Sequence, residues 1–408
     1  MRTYMIIPFI LFSFICFSQN TSFDTLLFEG KAEFMKEFDK QNFEIAAEKL
    51  EKAITLRPDN AEAHYFLGYA YSRLNSKDGR SMIAMNLNLI FKSSAQFEMV
   101  NKLTPKYIGE IVSLDPYSKL TSEWGSMAMN YWHNSKPDSA VWAFKEGKKR
   151  GGFGDFYLNI NRNVLDLCKK NSILISSGDN FTIPLWYLQI VEKYRTDVTV
   201  IDVSLLNTLW YPVYLVKTSQ AVFGKYNEIL DSIEYCQWAD STITIETAKN
   251  STFSWLVKPS YLDNFLLRGD RLLLELLTAN KFKREVYFTK GFVEEYRLSL
   301  KANLRSLVFV DRINYNYLDD FSFKQYETMF NPLTKCLKFL NSNSQDELNL
   351  IDMIRFDLFE RTYNCLNAGD KQQAVMLMKL IDDKVNPKIY PFQSEQSMKF
   401  YEYLKQNI

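Results

Sequence analysis

The sequence predicts an α+α/β protein: helical-hairpin repeats over the N-terminal third, a small, mainly parallel α/β unit in the middle, and helical hairpin structure at the C-terminal end. Three observations carry this expectation. Residues 43–71 set small and large apolar side chains at the spacing of paired helices that stack on one another. The stretch NSILISSGDNFTIPLWYLQIVEKYRTDVTVIDVSLLNTLWY, Asn171 to Tyr211, reads as strand, polar turn, amphipathic helix and strand. FDLFERTYNCLNAGDKQQAVMLMKLIDD, near the end, reads as two helices around a turn at Gly369.

The N-terminal element is an address. Arg2 supplies positive charge, and Met5 to Phe17 is an apolar run broken only by Pro8 and Ser13. Cys16 and Ser18 place small side chains three and one positions before a cut ahead of Gln19. Residues 1–18 therefore read as a secretory signal peptide, and the chain is expected in the periplasm or secreted. A lipid anchor through Cys16 is disfavoured, because Phe14 and Ile15 are bulky where small residues precede a lipidated cysteine. No later stretch reaches the roughly 18 apolar residues of a spanning helix, so no transmembrane segment is expected in the mature chain.

Residues 19–165 carry the repeats. In QNFEIAAEKLEKAITLRPDNAEAHYFLGYAYSRLN, Phe43, Ala46, Leu50, Ala53 and Pro58 take the positions of a second helix, and Ala61, Leu67, Gly68 and Tyr71 those of the next first helix. Small Ala and Gly let the helices approach, large residues fill the gaps, and Pro58 ends a helix. The pattern resembles the tetratricopeptide repeat. A second copy follows in LTSEWGSMAMNYWHNSKPDSAVWAFKEGKKRGG, through Trp124, Met127, Ala128, Tyr131, Ala140, Phe144 and Gly147. Residues 76–118 between them are helix-like but out of frame, with breaks at Pro105 and Pro116. About three hairpins are expected, and Gly151, Gly152 and Gly154 mark a helix stop.

Such an array presents its first helices to a concave groove. The resemblance puts Glu62, Tyr65, Tyr69, Ser72 and Arg73 there, followed by Met129, Trp132 and His133. Amphipathic aromatics with an Arg are the residue types that anchor partner peptides. A protein partner is expected, with cell-envelope proteins as candidates. The alternative for each residue is packing against the neighbouring hairpin.

Residues 166–325 form the expected α/β unit, with strands at Ile173–Ser176, Val198–Val203, Val286–Thr289 and Leu307–Val310. Whatever follows such strands lies at the carboxyl edge of a sheet, where open α/β folds bind ligands. Gly178, Asp179, Asn180 and Thr182 follow the first strand, and Asn207, Thr208, Trp210 and Tyr211 the second. The candidate ligand-binding residues are Asp179, Asn180, Thr182, Asn207, Trp210 and Tyr211. The alternative is that Asp179 or Asn180 caps the helix, with Pro184 in its first turn. Residues 326–408 are the C-terminal helical region.

Composition narrows the function. With 49 Lys+Arg against 48 Asp+Glu, a formal charge of +1 offers no field for nucleic acid. Aromatics reach 15%, which suits packing or a ligand that stacks on flat rings. Cys168, Cys236, Cys336 and Cys365 are widely spaced without a CxxC pair, so neither a zinc cage nor any metal or cofactor is expected, and buried free thiols are. His64 and His133 both fall in repeat helices, away from Gly178, and no GxSxG, HExxH or P-loop occurs. No catalytic residue is assigned. Asp319–Asp320 and Asp382–Asp383 read as solvated residues.

A second resemblance covers roughly half of the chain. SSGDNFTIPLWYLQIVEKYRTDVTVIDVSLLNTLWY, then DRLLLELLTANKFKREVYFTK, LRSLVFVDRI and the hairpin near Asp357 to Pro391, look like the soluble C-terminal region of a bacteroidete membrane-protein family. That family joins a multi-spanning, GT-C glycosyltransferase-like part to an α/β-plus-repeat region. Its pattern, Gly-Asp-Asn-Asp-Thr, an aromatic, then Pro-Leu-Trp-Tyr, is matched at Gly178, Asp179, Asn180, Thr182 and Pro184 to Tyr187. Phe181 replaces the second acid and Ile183 the aromatic, which weakens any metal reading. The membrane part is absent, so transferase chemistry does not carry over. Two functions follow: an exported, non-enzymatic interaction protein, or a glycan-linked accessory binding a sugar or lipid-phosphate headgroup at the strand ends.

Overall fold

The computed structural model describes residues 22–292, 294–315 and 322–408. The expected leader, Cys16 and the Asp319–Asp320 pair lie outside them. Six helices make three antiparallel hairpins: α1 (Phe23–Met35) with α2 (Phe43–Leu56), α3 (Ala61–Asn75) with α4 (Leu87–Leu103), and α5 (Pro116–His133) with α6 (Pro137–Lys149). Side chains of Asn42, Asn60 and Asp115 cap three of them by accepting from the backbone N–H three residues on. Leu50, Ala53 and Leu67 are fully buried, and a Cβ on Gly68 would meet the Phe97 ring at 2.9 Å. At the end of α6, Gly151 takes a φ of 96° and the Gly152 N–H donates to Gly147 O, the helix stop expected there.

The chain continues through α7 (Asp155–Leu167), β1 (Ile173–Ser176), α8 (Asp179–Ile190), β2 (Thr199–Asp202), α9 (Trp210–Lys217), β3 (Cys236–Gln237), β4 (Ser241–Glu246), β5 (Thr252–Val257), β6 (Phe265–Leu266), α10 (Arg268–Asn280), β7 (Val286–Thr289), β8 (Leu304–Ser306) and β9 (Val310–Ile313). The main sheet runs β2-β1-β7-β9-β8. Its first three strands are parallel, with Ile173 opposite Thr199 and Val286, and the last two pair antiparallel. The sheet is therefore mixed. The strand expected over Leu307–Val310 instead covers the turn of the β8–β9 hairpin and reaches β9 only at Val310: Val308 has a φ of 74° and Leu307 N donates to Val310 O at 2.8 Å. A run of large apolar residues can fill a buried turn as well as a strand. Helices α11 (Phe323–Cys336), α12 (Gln345–Asn367), α13 (Lys371–Lys384) and α14 (Glu395–Asn407) close the chain. The Gly369 turn, with a φ of 78°, joins α12 to α13.

Helix α8 corrects a second expectation. It is not amphipathic: every residue from Phe181 to Leu188 is buried. The array lies on one flank, where a Cβ on Gly125 would meet Ile183 Cγ2 at 2.1 Å, so α5 and α8 touch nearly backbone to side chain. Pro184 sits in the second turn, beyond the first. It removes the donor for Asn180 O, and Asn161 Nδ2 donates to that carbonyl at 3.3 Å instead. One apolar core runs from Trp124 and Phe144 through the sheet to Leu380 and Leu404.

Candidate functional site

At the carboxyl ends of β1 and β2 three polar side chains form a buried chain. Ser176 Oγ lies 2.8 Å from Thr182 Oγ1, which donates to Asp202 Oδ2 at 2.6 Å. The other Asp202 oxygen accepts the Leu205 N–H at 2.9 Å, and the Asp202 N–H donates to the Tyr211 hydroxyl at 3.1 Å. Burial pushes the Asp202 carboxyl up to about 6; the Thr182 and Leu205 bonds oppose this, and the negative charge of Asp179 adds to it.

The array supplies the opposite wall. Gly178, with a φ of 81°, holds the cap position of α8, and no side chain caps that end. Asp179 is therefore the first helical residue, and its Oδ2 accepts from Ser122 Oγ on α5 at 2.5 Å. One turn earlier on α5, Lys119 Nζ lies 2.6 Å from Glu123 Oε1 and donates to Ser72 Oγ at 2.9 Å; Ser72 Oγ donates in turn to Glu123 Oε1 at 2.5 Å. Glu123 is 3% exposed, and its Oε2 is buried without a hydrogen-bond donor.

Between these walls lies a hollow of about 260 Å³. Asp78, Glu123, Asp179 and Asp202 line it with four carboxylates, against the two cations Arg73 and Lys119. Tyr69 and Trp186 add flat rings. Of the residues expected at the strand ends, Asp179 and Thr182 line this hollow, together with Tyr69, Ser72 and Arg73 of the expected groove. Lys119, Ser122, Glu123 and Asp202 line it without having been singled out in the sequence. Two signals were available for them: a Lys and Glu four apart on an inner repeat helix, and an acid ending the apolar run TVID.

The remaining candidates lie elsewhere. Asn180 gives its carbonyl to Asn161. Asn207 Oδ1 accepts the Gly269 N–H at 2.8 Å, tying its loop to the start of α10. Buried Arg268 reinforces that tie by donating to the carbonyls of Leu206, Thr208, Leu230 and Ile233. Trp210 Nε1 donates to Gly79 O at 2.9 Å, and Tyr211 is buried. The groove residues are mostly engaged inside the molecule. Tyr65 and Tyr69 are buried beneath the chain's own 112–114 segment, Tyr65 accepting from Val112 N and Tyr69 from Leu114 N. Met129 is buried. Trp132 donates to the Tyr214 hydroxyl at 2.9 Å, and the His133 ring meets Trp210 edge to face at 5.1 Å. Repeat spacing identifies the inner face of an array but not what covers it.

A larger cleft, of about 1510 Å³, opens between the end of β7 and helices α11 and α12. Its charges neutralise one another: Lys290 Nζ sits 2.5 Å from Asp311 and 3.2 Å from Asp357, and Arg297 lies 3.2 Å from Asp311. Burial disfavours the charge of Asp357, yet Lys290 and Arg361 hold its carboxyl below the usual range. Among the described residues no three His, Cys, Asp or Glu side chains gather as a metal ion would need. The four described cysteines are free, Cys168 and Cys336 buried and the other two half-buried. No described helix is long and apolar enough to cross a membrane.

Residues 36–75 match the tetratricopeptide repeat, and residues 158–223 match the family described as TMEM260-associated domain 2. The second match spans α7 to α9 and so contains the α/β wall of the hollow. The first ends at Asn75 and includes Ser72 and Arg73. The chain thus pairs a repeat of a kind that points to protein–protein interaction with a segment similar to the TMEM260-associated domain. None of the curated proteins matches the chain.

Proposed function

We propose that the helical array and the α/β unit together clasp one small, hydroxyl-rich ligand, such as a sugar residue, in the hollow at their junction. The observation that supports it most is position: the hollow sits at the carboxyl edge of two parallel strands, where such sheets bind ligands. Hydroxyl groups would supply donors to Asp179, and Trp186 would offer an apolar face to a ring. Drug-sized ligands occupy about 300–1,000 Å³, so a hollow just below that range suits a single ring. The carboxylate excess argues against a phosphate headgroup. Like charges about 4 Å apart repel by roughly 4 kcal/mol at an effective dielectric near 20.

A protein partner is a second reading, supported by the repeat match. With Tyr65, Tyr69, Trp132 and His133 engaged internally, such a partner would meet the outer surface, where Phe28 and Met35 on α1 are 73% and 70% exposed. Envelope export belongs to the same proposal and draws on the Arg2 and Met5–Phe17 pattern.

Trp186 provides a reporter. Titration with a panel of neutral mono- and disaccharides should give a saturable change in tryptophan fluorescence. Asp179→Ala should weaken it about ten-fold or more, because a hydrogen bond to a charged group contributes about 1.5–3 kcal/mol. That variant also loses the Ser122 bond and should melt lower, and Ser122→Ala, which removes that bond alone, separates the two effects. Silence across the whole panel would remove the reading.

A further inference from the structure

We propose that residues 104–114 form a strap seated across the inner face of α3 as an extended peptide would sit, and that a protein partner displaces it with a segment of the same chemistry, an aromatic side chain followed three residues on by an acid. The inference rests on the second reading, a protein partner, and stands apart from any ligand in the hollow. The strap joins α4 to α5 without a helix or strand of its own. Two tyrosines of the expected groove hold its backbone. The Tyr65 hydroxyl accepts the Val112 N–H at 2.9 Å and donates to Leu114 O at 2.9 Å. The Tyr69 hydroxyl accepts the Leu114 N–H at 2.7 Å and donates to the same carbonyl at 3.1 Å.

Bonds to the main chain are how a groove holds an extended peptide, and side chains add the specificity. Two side chains supply that part here. The Tyr107 ring stacks on Tyr65 at 4.7 Å, and Glu110 lies 2.6 Å from Lys31, which also pairs with Glu62 of the groove at 2.6 Å. Gly109, between Tyr107 and Glu110, lets the Tyr107 ring fold back along the strap, since a Cβ there would lie 2.3 Å from its hydroxyl.

The strap covers the core without joining it. Tyr65 and Tyr69 beneath it are buried, yet no residue from 104 to 114 is, and Ile108 is 89% exposed. Segments that bury few apolar side chains open locally at a free energy well below that of global unfolding. Both ends stay fixed when this one opens. The Thr104 N–H bonds Val100 O at the end of α4, and Asp115 caps α5 while accepting from Ser344 Oγ. A strap tethered in this way competes at an effective concentration in the millimolar range, so a free peptide of equal chemistry binds the closed chain far more weakly than an opened one.

The test is an anisotropy titration of the full chain into a labelled peptide with the sequence of residues 104–114, TPKYIGEIVSL. Opening the strap with Tyr107→Ser and Glu110→Ala, which leaves α3 unaltered, should tighten peptide binding at least about ten-fold. Adding Tyr65→Phe and Tyr69→Phe should remove that gain, as should a peptide carrying the same two strap substitutions. Hydrogen exchange on the unaltered chain supplies a check that needs no variant. The Val112 and Leu114 amides should exchange well before those of α3, and faster still with the peptide in excess. Peptide binding that is undetectable in the opened chain, or equal in the opened and unaltered chains, overturns the inference and leaves the outer surface as the partner's face. Exchange of Val112 and Leu114 only together with α3 overturns it as well, because the strap would then be a fixed part of the array.

Discussion

Lys119 and Glu123 are 8% and 3% exposed and lie 2.6 Å apart. Removing one member of such a pair leaves an uncompensated buried charge, whereas removing both need not. Lys119→Met should therefore destabilise the chain by about 3–5 kcal/mol in urea unfolding, and adding Glu123→Leu should recover most of that loss. A single variant of unchanged stability would mean that the pair is solvated. Glu347 gives a pH signature of its own. Burial pushes its carboxyl up to about 8; the Asn341 N–H at 2.7 Å opposes this, and Asp115, Asp155 and Asp346 add to it. The folded state holds that proton more strongly than the unfolded chain does. Its contribution is fully present below the ordinary glutamate range and is lost as pH rises through 8. Burial, with Lys217 nearby, lowers His133, whose own effect is complete by about pH 6.5. From pH 6.5 to 8 stability should thus fall by up to about 1.4 kcal/mol per pH unit, and Glu347→Gln should flatten the slope. A slope unchanged in that variant would assign it to other groups.

Elements show which features the sequence carried locally. The ends of β1 and β7 were legible to the residue because β-branched runs bounded by polar turns announce themselves. Hairpins were legible for the same reason, since each helix's small and large residues repeat along its own length. What escaped was set by partners far along the chain. Helix α8 looked amphipathic in isolation, but α5, α7 and the sheet bury it on all sides. Leu307–Val310 looked like a strand, but the hairpin turns there. The packing of α5 on α8 supplies a direct test. Gly125→Ala must displace Ile183, whose Cγ2 would lie 2.1 Å from the new carbon, and should lose about 1–3 kcal/mol. Trimming Ile183 to Ala in the same chain should return part of it. Gly68→Trp should be far worse and unfold the array, because Phe97 already closes that space. A soluble, cooperatively melting Gly68→Trp protein would contradict the register of the repeats.

Across the whole molecule, the hollow is a product of docking. Thr182 comes from α8 and Asp202 from the end of β2, Ser72 and Glu123 come from the array, and the Ser122–Asp179 bond stitches the two parts at 2.5 Å. That explains why half of the candidate site could be read and half could not. Position after a strand is a local property and marked Asp179 and Thr182. The facing residues depend on how an array folds back on a sheet, and nothing near Glu123 in the sequence records it. The same geometry predicts that a bound ligand ties the two parts together. At one hundred times its dissociation constant it should add about 2.7 kcal/mol to the stability of a single cooperative transition. Two separate melting transitions, only one of them shifted by ligand, would show that the parts are not joined through the site. The most direct test is a crystal structure of the chain grown with the neutral sugar that gives the strongest fluorescence change. The account predicts density for one ring inside the hollow, within hydrogen-bonding distance of Asp179, with Trp186 against its face. Density confined to the cleft beside Lys290, or a hollow closed by its own side chains, would contradict it.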